Sequence, residues 1–519
     1  MVGKTLGLLL GYHGVKSMSF DRHAAAGTHP RAAGLNFRTS EILRQLGLEE
    51  FTLEQSASEF DLNAGMLLVE KLVGGKVLKH LQEHDPEKIK DITPSSWVWI
   101  SQRMFEPILG AHSDQYDSVQ LHGHEVLLYE EVEDGVIVVV KTLDSGEIKK
   151  HKARYVVACD GNRSPTRQKE GISWDGPGIL RNSVSVSFKS DLSPFIGKRM
   201  VHGVIYVANE NIGGGFRLEN EGKEGLLMVN NVGSKADFAP GSVTSEEARE
   251  YFYACSGLTP DQLSLDIQTM NYWTMAAYTA GKFASKGGRV FLAGDAAHIM
   301  PPTGGLGGNT GIADAHNIAW KLAYVLSGKA SHYLLETYNS ERKPIDEFTV
   351  LQAHSRNHPA PEAPDVAIEL GYRYPQGAFL PEEHYKVPKQ LYDDPAQPTA
   401  VPGSRFPHVF LEETASPHKR ISTIDLVKKN FVFITIEPES PWIRAASQSP
   451  IELDIHALNA MSSPYRDSEG AVERKCRLKV GEAMLVRPDG FIAWRGGRSD
   501  NGHAEQLKIA LEGILGKSL

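Results

Sequence analysis

Hydrophobic residues recur first at helical spacing and then at strand spacing near the N-terminus. Leu6, Leu9 and Leu10 form the apolar face of a helix that ends at Gly14, and residues 15–20 alternate as a short strand. Turn residues between the later apolar runs predict hairpins. The further elements predicted in this part are helices from Thr39 or Ser40 to Gly47 and from Trp97 to Leu109, and strands at 125–131, 136–142 and 147–159.

The pattern changes after residue 175, where apolar runs joined by Gly and Pro turns predict an antiparallel sheet. Helical spacing returns at 312–326, the run 337–344 has the composition of a helix end, and the proline-rich stretch 381–402 is typical of a linker. The remaining predicted elements are strands at 182–188, 200–208, 214–218, 226–231, 431–436 and 451–455, a hairpin of 483–487 and 491–495, and a helix at 504–515. Together they predict an α/β fold.

The composition limits the class of protein. With 519 residues, of which 41% are hydrophobic, the chain is long enough for two or three domains. A net charge of −9 argues against nucleic-acid binding, and no apolar run approaches the roughly 18 residues of a membrane span. The three cysteines lie far apart, which fits a reduced, cytoplasmic setting, and the histidines lack the spacing of a metal site.

Candidate chemistry begins where a strand-like run ends at Ala293. The string Gly294-Asp295-Ala296-Ala297-His298 follows, and then a proline- and glycine-rich segment from Pro301 to Asn309 leads into a helix. An acid at the end of a buried strand can accept hydrogen bonds from a chain of hydroxyls. The glycines let backbone N–H groups approach a flat ligand or a pyrophosphate at the helix N-terminus.

A second strand-to-turn signal precedes the first one in the chain. The strand predicted to end at Cys159 delivers the run from Asp160-Gly161 to Arg167, which includes Arg163. On its own an Asp-Gly pair after a strand is an ordinary turn. Its combination with the Gly294-Asp295 string favours a functional interpretation.

The string 294–309 closely resembles the second FAD motif of the single-component aromatic hydroxylases, the flavoprotein monooxygenases of the p-hydroxybenzoate and phenol hydroxylase type. The run 160–167 resembles the DG motif of that family, which contacts FAD and serves NADPH binding. The resemblance implies a Rossmann-like FAD-binding domain in two parts, 1–175 and 280–380, with an antiparallel substrate-binding β-sheet domain inserted at 176–279.

The segment after the linker at 381–402 looks like the C-terminal domain of the phenol hydroxylase branch. The resemblance implies that residues 403–519 form a thioredoxin-like domain. No C-x-x-C pair is present in the sequence, so we expect a scaffold or dimerisation module rather than thiol chemistry.

The N-terminus matches only the second half of a dinucleotide-binding fingerprint. The chain begins Met1-Val2-Gly3, so Gly3 is similar to the third glycine of G-x-G-x-x-G. Asp21 stands where an acid would hold the adenosine ribose. We therefore expect the first strand of the FAD-binding domain to be missing from this sequence.

The resemblance implies a set of cofactor-binding residues. Arg31 matches an arginine that helps to hold FAD, and Gln102 matches a glutamine near the ribityl chain. Arg163 and Arg167 follow the turn that serves NADPH. The full set is Gly3, Asp21, Arg31, Gln102, Asp160, Gly161, Arg163, Arg167, Gly294, Asp295, Pro302, Gly305, Leu306, Gly307, Gly308 and Asn309.

The implied reaction is hydroxylation of a phenolic or polycyclic aromatic substrate, polyketides included. NADPH or NADH reduces FAD, reduced FAD and O2 form a C4a-hydroperoxide, and the electron-rich ring attacks its distal oxygen. The expected partners are a small aromatic substrate, O2 and NAD(P)H, and whether the chain forms a homodimer stays open. Two alternatives remain: the same flavin chemistry performs epoxidation or Baeyer–Villiger oxidation, or the chain is a truncated, inactive flavoprotein-fold homologue.

Two residues are candidates for a direct catalytic role. Pro302 opens the loop that should lie along the flavin, and the guanidinium of Arg373 could orient a phenolate or lower the pKa of a phenol. An arginine that ties two domains together is an equally good interpretation of Arg373. The acid that some phenol hydroxylases carry near the arginine of the FAD motif is absent, because the matching positions are Ala32 and Ala33.

Overall fold

The computed structural model describes residues 1–24, 33–62, 65–82, 85–197, 202–356, 362–382, 390–460, 462–497 and 502–519, and it has an α/β fold. The elements before the middle sheet are α1 Val2–Tyr12, β1 Ser17–Asp21, β2 Gly34–Leu35, α2 Phe37–Gln45, α3 Glu49–Ala57, β3 Met66–Val69, β4 Val77–Gln82, α4 Pro86–Ile89, β5 Val98–Trp99, α5 Gln102–Ser113, β6 Ser118–His122, β7 His124–Val132, β8 Gly135–Thr142, β9 Ile148–Ala153, β10 Val156–Ala158 and α6 Pro165–Lys169.

The elements from the middle sheet to the last helix before the C-terminal part are β11 Trp174–Lys189, α7 Ser193–Ile196, β12 Val204–Ala208, β13 Ile212–Glu219, β14 Glu224–Val232, α8 Ser245–Ser256, β15 Asp266–Ala280, β16 Val290–Leu292, β17 His298–Ile299, α9 Leu306–Leu326, α10 Tyr333–Ser355 and α11 Asp365–Leu370. Those of the C-terminal part are β18 Phe410–Glu413, β19 Ser416–Ser422, β20 Phe431–Thr435, α12 Pro441–Ser447, β21 Leu453–Ala457, β22 Tyr465–Arg466, α13 Ala471–Cys476, β23 Ala483–Val486, β24 Ile492–Gly496 and α14 His503–Leu515.

The first part contains two parallel strand pairs and a three-stranded antiparallel sheet, besides the short antiparallel pair of β2 and β5. β1 pairs with β6, β10 pairs with β16, and β7, β8 and β9 form the antiparallel sheet. The single strand predicted at 147–159 is therefore wrong. Its lysine-rich first half, Ile148–Ala153, belongs to the antiparallel sheet, whereas the short apolar Val156–Ala158 crosses to β16.

Two helix starts also differ from the sequence prediction. α2 begins at Phe37, because the Asn36 side chain, rather than Thr39 or Ser40, caps it by accepting from the Thr39 N–H. α5 begins at Gln102, because Val98–Trp99 pairs with β2 and the Ser101 hydroxyl caps the helix.

The middle sheet has eight strands in the order β17-β15-β11-β14-β13-β12-β3-β4, and only its β12–β3 pair is parallel. One face packs against α8 through a core that includes Val186, Phe188, Phe216 and Phe252. Tyr206 belongs to a different cluster with Trp97 and Trp99. The second face of the sheet therefore turns toward α2 and β5.

α9 and α10 pack side by side and connect the first part of the chain to the C-terminal part. The run 337–344 lies inside α10, so the prediction of a helix end there is wrong. Buried ion pairs hold this stretch despite Pro344: Glu341 accepts from Arg487 Nη1 (2.7 Å) and from Lys321 Nζ (2.8 Å). Arg487 follows β23 in the C-terminal part, so this cluster joins the two parts.

The C-terminal part has a thioredoxin-like core. Its four-stranded sheet has the order β21-β20-β23-β24, with β20 parallel to β21 and the other pairs antiparallel. The predicted hairpin that turns at Pro488-Asp489-Gly490 is confirmed. The core continues into α9, because the rings of Trp320 and Tyr324 contact Phe431 edge-on.

Candidate active site

The two Asp-containing turns meet at one edge of the β10–β16 pair. The Ala293 N–H donates to the Ala158 carbonyl over 3.0 Å, directly beyond the paired strands. Asp160-Gly161 and Gly294-Asp295 then leave the same carboxyl edge, as in ligand-binding α/β sheets. The structure thus brings together two motifs that lie far apart in the sequence.

The Gly294–Asp295 turn packs against α9 on one side and is exposed to solvent on the other. Gly294 has φ +63°, a left-handed conformation that favours glycine, and Gly311 of α9 packs directly on its backbone. Ala296 and Ala297 are fully buried, whereas the side chain of Asp295 is exposed. The carboxylate of Asp295 is therefore available to a ligand.

A buried ionic cluster lies behind this turn. Asp314 Oδ2 accepts from the Gly294 N–H (3.0 Å) and contacts His298 Nε2 (3.0 Å), while Asp314 Oδ1 accepts from Arg342 Nε (2.8 Å). Arg342 Nη2 also donates to Asp346 Oδ1 over 2.6 Å. All four of these ionisable side chains are completely or almost completely buried.

The pKa values of the two carboxyl groups in this cluster are shifted in opposite directions. Burial opposes ionisation of Asp314, but Arg342 and His298 outweigh it and hold the pKa of that carboxyl below its usual range. Burial raises the pKa of Asp346 well above its usual range, and Asp314 adds to the effect. His298, Asp314 and Asp346 could each offer a metal ligand atom, but the Arg342 guanidinium already pairs with both carboxylates.

The loop after β17 runs directly into the N-terminus of α9. Gly304 (φ +82°) and Gly305 (φ +65°) are left-handed, and α9 starts at Leu306 without a side-chain cap. The first N–H groups of a helix have no intrahelical partner, so those of Leu306 and Gly307 can serve a ligand. Gly308 lies in the same turn, and Pro302 is exposed at the start of the loop.

Asn309 fixes this loop through its side chain. Its Oδ1 accepts from the Asn36 N–H (3.0 Å) and the Thr39 hydroxyl (2.7 Å), and its Nδ2 donates to the Gly34 (3.0 Å) and Gly305 (2.7 Å) carbonyls. The amide is thus fully engaged inside the protein. Its role is to join the loop to α2, and a direct side-chain contact with a ligand is not available.

The residues after Asp160 have different environments. Asp160 accepts from the Thr166 N–H over 3.0 Å, and Arg163 is exposed. Arg167, in contrast, is buried, donates to the Ile172 carbonyl over 2.6 Å and stacks over the Trp174 ring. Burial lowers the pKa of Arg167.

The other predicted cofactor residues lie on the N-terminal elements. Gly3 in α1 faces Cys159 next to the Asp160 turn, and Asp21 ends β1, where it accepts from the His23 N–H over 2.9 Å. The Gln102 amide donates to Glu106 Oε1 over 2.6 Å. Arg31 lies outside the described residues.

Arg373 makes its contacts with the segment 391–404 rather than with the 302–309 loop. Its Nη1 pairs with Asp393 Oδ1 at 3.0 Å, and its backbone bridges to Ser404. These contacts tie 371–374 to 391–404. They favour the interpretation of Arg373 as a structural link between segments.

Sequence reasoning missed an arginine and a tyrosine beside the loop. The Arg356 guanidinium lies so close to Gly304 that a Cβ there would collide with Nη1, and it pairs with Asp365. Burial raises the pKa of the Tyr206 phenol, and the nearby Arg356 opposes that rise. No sequence spacing links β12 to the end of α10, so this pairing needed the fold.

Two tryptophans and a buried acid lie beside the same region. Trp97 and Trp99 have ring centroids 4.6 Å apart, and each is 2% exposed. Glu369 accepts from the Phe37 N–H (3.2 Å) and from Trp97 Nε1 (3.4 Å). Burial, with a contribution from Asp365, raises the pKa of Glu369 to about 8. The region is therefore dry and lined by aromatic rings.

Comparison with known families defines the class of protein. Residues 1–353 match the family model described as FAD binding domain, and residues 399–518 match the model described as aromatic-ring hydroxylase, C-terminal. The chain therefore belongs to the FAD-dependent aromatic-ring hydroxylases. This confirms the family, the FAD cofactor and the class of aromatic monooxygenase inferred from the motifs. Within the described residues, no helix has the length and apolar character needed to span a membrane.

Individual relatives cover nearly the whole chain. A 4-methyl-5-nitrocatechol 5-monooxygenase from Burkholderia sp is 36% identical over 99% of this chain and 96% of its own length. A tetracenomycin B2 monooxygenase-dioxygenase from Streptomyces olivaceus is 31% identical over 100% of this chain and 97% of its own. The solved ternary complex of aklavinone-11 hydroxylase with FAD and aklavinone has a TM-score of 0.90 at 28% identity, covering 99% of this chain and 97% of that one.

Proposed function

We propose that this chain hydroxylates a phenolic ring with NAD(P)H and O2, using FAD bound against the Gly294–Asp295 turn and the 302–309 loop. The observation that carries the proposal is the meeting of the Asp160 and Asp295 turns beside the uncapped start of α9. Bound FAD supplies the redox and oxygen chemistry, and the chain supplies orientation, charge and exclusion of water.

The residues present fit FAD. Asp295 would accept hydrogen bonds from ribityl hydroxyls, since its carboxylate is exposed on a turn that Asp314 holds. The N–H groups of Leu306 and Gly307 would stabilise negative charge at the edge of the flavin ring or on the pyrophosphate. Glycine at 304 and 305 leaves this backbone without side chains, as a flat ligand requires.

The cation that orients the substrate is Arg356 in this proposal, in place of Arg373. The guanidinium of Arg356, at the end of α10, pairs with Asp365 and lies against Gly304 of the loop, whereas Arg373 pairs with Asp393. A guanidinium beside a phenol favours the phenolate, which is the form that an electrophilic oxygen attacks. Tyr206 faces the same space from the middle sheet and would contact the substrate ring or its hydroxyl.

The names of the relatives include a nitrocatechol and several polyketides. A catechol is a phenol, and we infer that a hydroxylated aromatic ring is also what a polyketide substrate would present. The proposed substrate is therefore a phenol, either a single ring such as a catechol or a polycyclic polyketide. Its phenolic oxygen would be held near Arg356.

The test is oxygen insertion under 18O2. The purified protein is supplied with FAD and NADPH or NADH, and the substrates are a catechol series that includes 4-methyl-5-nitrocatechol and an aromatic polyketide such as aklavinone. We expect one labelled hydroxyl ortho or para to an existing one, and faster oxidation of the nicotinamide when substrate is present. Label in an ester oxygen would indicate Baeyer–Villiger oxidation. Oxidation of NAD(P)H that only reduces O2 to hydrogen peroxide, with no labelled product from any substrate, would contradict the proposal.

A further inference from the structure

The Gly294–Asp295 turn depends on one acceptor that comes from another element. Its first N–H, that of Gly294, points into the protein and donates to Asp314 Oδ2 of α9. Inside the turn the Ala297 N–H donates back to the Gly294 carbonyl over 2.7 Å. Without Asp314 the Gly294 N–H would be buried and unpaired, which is costly.

Asp314 is itself held in one orientation. His298 binds the same oxygen that accepts from Gly294, and Arg342 Nε binds the other oxygen at 2.8 Å. Both partners are buried, so neither can be replaced by water without rearrangement. The carboxylate therefore faces the turn in a fixed geometry before any ligand arrives.

We infer that Asp314 is a positioning residue that keeps the Gly294–Asp295 turn in its FAD-binding form. It does not touch the cofactor, and it acts through the Gly294 N–H to fix where the Asp295 carboxylate points. The inference rests on the FAD site of the proposed function and is independent of the substrate.

The matched pair of variants is Asp314→Asn and Asp346→Asn. In Asp314→Asn one oxygen is replaced by a donor, and the remaining oxygen is claimed by Arg342, so the Gly294 N–H loses its acceptor. Asp346 belongs to the same cluster and pairs with Arg342, but it does not contact the turn. A merely structural role of the cluster would make the two variants alike.

The measurement is the dissociation constant of FAD, taken by flavin fluorescence on apoprotein at a temperature where each variant is folded by circular dichroism. We expect Asp314→Asn to weaken FAD binding about tenfold or more, as for one lost charge-assisted hydrogen bond, and Asp346→Asn to stay within about twofold. Equal losses in both variants, or unchanged affinity in Asp314→Asn, would overturn the inference. A wild-type protein without FAD affinity would instead contradict the proposed function.

Hydrogen exchange on the wild-type apoprotein gives a second test that needs no variant. The Gly294 amide should exchange slowly without FAD and equally slowly with it, because Asp314 already holds it. Rapid exchange of that amide in the apoprotein would show that the turn forms only with ligand and would overturn the inference.

Discussion

Ala158 and Ala293 are hydrogen-bonded neighbours, 3.0 Å from carbonyl oxygen to amide nitrogen, and each precedes an aspartate by two positions. This single contact sets Asp160 and Asp295 at one edge of a parallel pair. Both carboxylates are exposed, but Asp160 Oδ2 also accepts from the Thr166 N–H over 3.0 Å. The cofactor contacts of the two turns should therefore differ in strength.

The first prediction concerns Asp295. Asp295→Ala should weaken FAD binding roughly ten- to hundredfold, because a charge-assisted hydrogen bond to a ribityl hydroxyl contributes about 1.5–3 kcal/mol. Titration of apoprotein with FAD measures it. Asp144→Ala, at an exposed hairpin turn, is the matched control and should leave the affinity unchanged. Full FAD affinity in Asp295→Ala would show that the turn does not hold the ribityl chain.

The second prediction separates Arg163 from Arg167. The exposed Arg163 is free to bind the phosphates of NADPH, so Arg163→Ala should raise the KM for NADPH about tenfold while FAD content stays normal. Arg167 is buried on Trp174 and bonded to Ile172, so Arg167→Ala should lower the Tm instead. Steady-state kinetics and thermal melts distinguish them. The reverse pattern would assign NADPH to Arg167.

The two Asp turns and many of the strands and helices were predictable because each rests on local signals. The Gly294-Asp295 string follows an apolar strand and precedes a glycine-rich helix start, and both features survive in the structure. The C-terminal hairpin was predictable for the same reason, since a Pro-Asp-Gly turn separates two apolar runs. Local chemistry of this kind does not depend on distant contacts.

Features that depend on distant contacts were not predictable. The sequence offered Arg373 either as a candidate phenolate partner or as a structural link; in the structure it pairs with Asp393, whereas Arg356 reaches Gly304 because α10 packs beside α9. The strand predicted at 147–159 splits because its halves join different sheets. The Asp314 cluster was missed because three elements supply it and no spacing connects them.

The third prediction is a pH dependence of stability from Glu369. Its pKa is about 8 in the folded protein, against an ordinary value near 4.5, so the folded protein keeps a proton that the unfolded chain releases. Above about pH 4.5 the unfolded state therefore binds fewer protons, and this group lowers stability progressively until about pH 8. Below pH 4.5 both states are protonated and the effect vanishes.

Glu369→Gln removes this dependence. We expect the variant to gain about 2–4 kcal/mol relative to the wild type when the pH rises from 5 to 8.5, as for a pKa shift of this size. Urea unfolding at both pH values measures it. Glu362→Gln, at an exposed position, is the control and should show no such change. If the difference in unfolding free energy between the wild type and Glu369→Gln does not change with pH, Glu369 is ionised in the folded protein.

The last prediction concerns the substrate cation. If Arg356 favours the phenolate of a bound phenol, Arg356→Ala should lower kcat about ten- to a hundredfold and move the pH optimum of kcat upward by about one to two pH units, because the phenol then ionises less readily. Arg373→Ala should lower the Tm by freeing Asp393 and leave the pH profile in place. Asp365→Asn controls for the broken ion pair, since it removes the partner of Arg356 and keeps the guanidinium. The profiles are measured with one phenolic substrate at saturating O2 and nicotinamide, with hydrogen peroxide counted separately so that uncoupled turnover is not mistaken for hydroxylation. An Arg356→Ala profile that matches the wild type, with Arg373→Ala shifted instead, would return the role to Arg373.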